Sequence, residues 1–156
     1  MNPLTHFFIG WGVANLGRAD KRERAMVTLA GIVPDVDGFG IIVEKLTAGS
    51  KTPLLWWSDY HHVLAHNIGF CLAFTAGCMV FAKRRVRTAL LILVSFHLHL
   101  LGDIIGARGP MGEQWPIPYL LPFSSSLNLS YAHQWALNAW PNFVITILLL
   151  VLTFYL

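Results

Sequence analysis

Apolar runs long enough to matter alternate with short polar breaks, and the polar residues inside those runs are mostly histidine and aspartate. One run extends from about His62 to Ala82 and ends at a basic cluster, "KRRVR". A second covers Thr88 to Ile105, and a third begins near Ala136 and is strongest over "NFVITILLLVLTFYL". A bilayer is crossed by about 20 apolar residues, so these three runs predict spanning helices. Residues 3–17 predict a shorter apolar helix. The stretch "AMVTLAGIVPDVDGFGIIV" (25–43) is equally apolar but broken by Pro34 and Asp35, because proline has no N–H to continue a helix. Residues 106–135, with glycine, prolines and "SSS", predict a structured loop. No internal repeat or low-complexity tract interrupts this order.

Composition strengthens the membrane reading. The 156 residues are 55% hydrophobic and 12% charged, with a mean hydropathy of +0.56. Soluble domains carry about 25% charged residues. The expected fold is therefore all-α: one domain, residues 1–156, forming a polytopic bundle of four to five membrane-embedded helices. The apolar stretch at the N-terminus is preceded by no basic region, which argues against a cleaved signal peptide. Cys71 and Cys78 lie seven apart in one run, roughly 10 Å along a helix, too far for a disulfide.

The basic residues are clustered. Segments 18–24 and 83–87 hold eight of the eleven lysines and arginines, and the others are Lys45, Lys51 and Arg108. In so apolar a chain these clusters mark cytoplasmic loops, and nucleic acid is not an expected partner. With both clusters inside, the chain crosses five times if 25–43 spans, placing the N-terminus outside and the C-terminus inside. One consequence joins distant residues. His6, Asp35, Asp37, His61, His62, His66, His99 and Asp103 all fall in the outer half of the bundle.

Ionisable groups at membrane depth are costly unless paired, and usually mark function. His99 and Asp103 are four apart and share a helix face. His97, two residues from His99, points elsewhere. Asp35 and Asp37 sit on the break, where non-helical backbone is tolerated only against protein or a wet cavity; the bland alternative is a turn that caps the next helix. In "YHHVLAHN", helical spacing pairs His62 with His66, whereas His61 reaches the same place only if it precedes the helix. His66 is the firmest of the three. His133, in "SYAHQWALN", is a candidate further ligand, a proton donor, or a member of an interfacial belt with Tyr131 and Trp135.

The metal candidates are thus His6, Asp35, Asp37, His61, His66, His99 and Asp103, too many for one tetrahedral zinc with an open position. They suit two divalent ions, zinc before manganese or iron. Asp37 and His133 are the candidate catalytic groups.

These motifs resemble a bacterial inner-membrane family of metal-dependent hydrolases, the YdjM/YbcI-like group. The resemblance runs in order through "THFFIG", "GIVPDVDG", "HHVLAHN", "HLLGD" and "YLLPFS". That group is in turn similar to zinc-dependent phospholipases C and nucleases, which implies phosphoester hydrolysis and carries over best to His6, Asp35, His66, His99 and Asp103. The family commonly has His-Arg where this chain has His61-His62, so an arginine suited to gripping phosphate is missing there. A later His-x-x-x-acid pair is also missing, for His133 is followed by Leu137.

The expected function is a multi-pass enzyme of the bacterial inner membrane, a phosphoesterase whose site faces the outer leaflet. Its expected substrate is a membrane phospholipid or lipid-linked phosphate. A metal transporter or sensor would use the same ligands but needs a polar path through the inner halves of the helices, and the chain offers almost none. A structural protein with a buried polar network would bind no stoichiometric metal. Gly69, Ala73, Ala76 and Gly77 offer a small-residue face on which two copies could pack.

Overall fold

The structure, a computed structural model, describes residues 1–109 and 112–156. It is mostly helical. Helix α1 (Pro3–Leu16) starts where the Asn2 side chain accepts the Thr5 N–H, with proline in the first turn. That satisfies a donor the helix leaves open. Helix α2 (Lys21–Ala30) starts on Asp20, whose carboxylate accepts from the backbone of Arg22 and Glu23. The Glu23 N–H, then the Arg22 N–H and the nearby Lys83 and Arg84, hold that carboxyl below the usual carboxylate range.

The break foreseen at Pro34 is present. The chain tightens into a 3₁₀ turn, Val33–Phe39, and continues as α3 (Gly40–Thr47). The two halves, Lys21–Ala30 and Val33–Thr47, are bent by 51°. A five-residue helix α4 (Trp56–Tyr60) follows, then α5 (Ile68–Met79) and α6 (Arg85–Gly106). Strands β1 (Ile117–Pro118) and β2 (Asn128–Leu129) pair antiparallel within the 107–139 loop, and α7 (Trp140–Thr153) closes the described order.

Span lengths differ from those read in the sequence. Among the described residues, helix α6 alone is long and apolar enough to cross a membrane by itself, and α2 with the turn and α3 passes the same test as a bent pair. The run expected from His62 contracts to twelve residues because Asn67 caps α5, accepting the Phe70 N–H at 2.9 Å. At 1.5 Å per residue α5 is about 18 Å long. The last run begins as a helix at Trp140 rather than near Ala136, since Ala136 and Leu137 are tied by backbone contacts to Arg108.

Two apolar clusters hold the helices. Ala14, Ala19, Val27, Ala30 and Ile92 join α1, α2 and α6, while Cys71, Phe96, Leu100 and Ile117 join α5, α6 and the loop. Large apolar side chains also remain exposed on α6 and α7, among them Leu98, Leu101, Phe143, Ile147 and Leu148.

A close backbone approach lies beside the candidate site. A Cβ at Gly31 would lie 2.7 Å from the His6 carbonyl and 3.1 Å from the Gly10 Cα. Both neighbours are backbone and cannot rotate away. Gly31→Ala is therefore expected to lower stability by about 1–3 kcal/mol, read as a fall in the thermal midpoint in detergent.

Candidate metal centre

Four segments deliver the polar residues to one end of the bundle. The first turns of α1 bring His6, the 3₁₀ turn brings Asp35 and Asp37, residues 61–67 bring three histidines, and the last turns of α6 bring His99 and Asp103. The basic segments meet at the other end, where Arg87 donates to the Gly17 carbonyl and the Arg84 N–H donates to Glu23. Fourteen residues of α6 separate Arg85 from His99, about 21 Å of rise. The separation of charge from histidine that the sequence implied is thus built into the fold.

Hydrogen bonds on the outer side of each imidazole fix its orientation. His99 donates from Nδ1 to the Gly31 carbonyl at 2.8 Å. His66 donates from Nδ1 to Asp37 Oδ2 at 3.0 Å. With their protons on Nδ1, neutral rings turn unprotonated Nε2 atoms inward. Those two nitrogens are 3.2 Å apart. Asp103 Oδ2 lies 2.9 Å from His99 Nε2 and 3.3 Å from His66 Nε2, and Asp35 Oδ1 lies 3.8 Å from His99 Nε2. All four donor atoms fall within 4.8 Å of one another. A tetrahedral set with bonds of 2.0–2.2 Å has edges of roughly 3.3 Å. Imidazole nitrogens and carboxylate oxygens converging at that spacing, with His66, His99 and Asp103 buried and Asp35 half-buried, fit a divalent cation.

Asp37 plays a different part from the one expected. Its Oδ2 accepts from His66 and from the Ala65 N–H, and its Oδ1 accepts from His61 Nδ1 at 3.0 Å. Both oxygens are engaged away from the four-donor set, so the structure places Asp37 behind His66 as an orienting carboxylate. Such partners fix the ring and raise its basicity. Asp37→Asn is expected to weaken metal affinity about 10–100-fold, measured by competition with a chelating dye, while His66 still supplies its Nε2.

The remaining histidines separate clearly. His6 is buried, stacks on His99 at 3.7 Å and presents Nε2 to Asp103 Oδ1 at 3.0 Å; that oxygen also contacts the Met1 amino group. His61 stacks on Trp57 at 3.8 Å and reaches Asp37 rather than the four donors. His62 was paired with His66 only through an assumed helix. Residues 61–67 are not helical, and His62 has a left-handed backbone, φ 65°. A side-chain-bearing residue adopts this region at a cost. The result is a buried imidazole with Nε2 3.9 Å from Asp103 Oδ2 and an Nδ1 that has no partner among the described residues. His97 lies outside the cluster, bonded to the Leu93 carbonyl and the Tyr119 hydroxyl. His133 is exposed, edge-on to Tyr131, and the structure does not bring it to the cluster. Its neighbour Gln134 does approach, donating to the Asp103 carbonyl at 2.7 Å.

A cavity of about 580 Å³ opens beside the centre. Asp35, His61 and His62 supply its polar edge, and its walls are apolar, with Leu29, Val36 and Ile42 among them.

One family model matches residues 1–156, that of the YdjM inner membrane protein. The chain belongs to this family. Membership makes it an inner-membrane protein and accounts for the apolar surfaces left exposed on α6 and α7. No curated protein and no solved structure matches the chain.

Proposed function

We propose that this YdjM-family chain is a metal-dependent hydrolase embedded in the membrane, a phosphoesterase acting on a phospholipid or lipid-linked phosphate. The observation that carries the reading is the convergence of His66 Nε2, His99 Nε2, Asp103 and Asp35 at the edge of an apolar cavity. Asp35, His66, His99 and Asp103 would hold a divalent ion, which when bound would supply a Lewis acid for phosphoryl oxygens and a water acidified toward neutrality. The ligand chemistry favours zinc, then manganese. His6 and Asp103 would hold a second ion beside the first, so the proposed complement is two ions.

The chain's own groups complete the chemistry. Asp37 holds His66 in register, and the Gly31 carbonyl does the same for His99. His62 borders both the donor set and the cavity, where a ring N–H can donate a hydrogen bond to the departing oxygen. Apolar walls accept lipid chains and limit competing water. In the membrane, α6 and the bent α2–α3 pair cross or re-enter while α1, α5 and α7 are embedded with them, giving four to five helices. The basic end faces the cytoplasm, leaving the centre toward the outer leaflet.

The test incubates purified protein with a panel of lipid phosphates and measures released phosphate or head group. Release that stops with chelator and returns with zinc or manganese supports the reading. Metal-loaded, folded protein inactive toward the whole panel would count against it.

A further inference from the structure

A second pocket of about 360 Å³ adjoins the apolar cavity, and the two share Ile41, Trp57, Trp115 and Leu137 as walls. Its remaining lining residues are Arg108, Glu113 and Asn138. Trp115 stands between the two environments, its ring 5.1 Å from His61 and 5.3 Å from His62.

Arg108 is held for presentation. Its N–H donates to the Trp135 carbonyl and its carbonyl accepts from Leu137, both at 3.0 Å. The guanidinium donates from one terminal nitrogen to the Ala132 carbonyl at 3.2 Å, while its Nε is buried with no partner among the described residues. No ion pair within 4.0 Å joins it to Glu113, though both line this pocket. A buried unsatisfied donor is costly, and an arginine fork matches phosphate oxygens. Glu113 beside it would repel a purely anionic ligand but suits an ammonium.

We propose that Arg108, Glu113 and Asn138 form a head-group subsite for a zwitterionic amphiphile whose chain fills the adjacent apolar cavity. Arg108 takes its phosphate oxygens, Glu113 its ammonium, and Asn138 a neutral polar group. This goes beyond the phosphoesterase reading, and the binding itself needs no metal.

The test titrates full-length protein in detergent with two short-chain lipids of equal tails, one with a phosphoethanolamine head and one with a phosphoglycerol head. Calorimetry reads the affinity, with and without chelator. Wild type should prefer the zwitterionic lipid, and Glu113→Gln should remove that preference by weakening the zwitterion about tenfold. Arg108→Gln should weaken both lipids, as should Ile42→Trp, which fills the cavity. Equal affinity for both lipids in wild type overturns the proposal. So does tighter anionic binding in Glu113→Gln with the zwitterion unchanged, for Glu113 would then merely neutralise Arg108. Preference without hydrolysis leaves the subsite standing and the phosphoesterase reading fallen; hydrolysis without preference does the reverse.

Discussion

Asp103→Asn is expected to lower hydrolysis by on the order of 10³-fold, with little change in fold. The substitution keeps the shape of a side chain that is 1% exposed but removes its charge. His99 and His66 would then face a neutral amide at 2.9 and 3.3 Å, and the site would lose the anion that balances a cation. Losing one group that stabilises transition-state charge costs about 10²–10³, and loss of the ion adds to that. His97→Gln provides the contrast. Its ring bonds to Leu93 and Tyr119 outside the cluster, so turnover should stay near wild type. The measurement is the initial rate of head-group or phosphate release, with circular dichroism confirming helical content.

Removing the ion should also loosen the protein. The four donors come from the 3₁₀ turn, the segment before α5, and α6, so one ion bound there would tie together pieces far apart in sequence. A ligand that binds only the folded state stabilises it by about 4 kcal/mol at 1,000 times its dissociation constant. For a chain of this size each kcal/mol moves the midpoint by about 2–4 °C. Chelation should therefore lower the thermal midpoint by roughly 10 °C, and excess zinc should restore it. In His66→Ala the midpoint should start low and ignore chelator. A wild-type midpoint indifferent to both treatments would mean that the donors are held by one another.

Much of this centre was legible because helix periodicity and membrane cost act on sequence directly. His99 and Asp103 had to share a face at four residues' spacing, and Pro34 had to break its helix. The opposed placement of basic and histidine-rich segments followed from charge alone. Residues 61–67 were harder. Their apolar neighbours suggested that the following helix began at His62, but Asn67 is a better cap, and the preceding histidines fold back as a turn. Spacing could not show that His62 adopts a left-handed backbone, nor that His61 ends on Asp37. Asp37 itself was one of two carboxylates in a break, and only the positions of Ala65 and His66 turn it outward from the donors. Arg108 was visible as a lone cation, yet its pocket depends on Trp57 and Trp115, more than fifty residues apart. His133 shared the polar side with the centre and nothing more specific.

The decisive measurement is the metal content of detergent-purified protein by elemental mass spectrometry, alongside Asp103→Asn and His66→Ala. One to two equivalents of zinc or manganese in wild type, lost in both folded variants, is the expected result. A folded wild type that carries no divalent metal, and still takes up none when zinc or manganese is added back, would contradict a metal centre at Asp35, His66, His99 and Asp103.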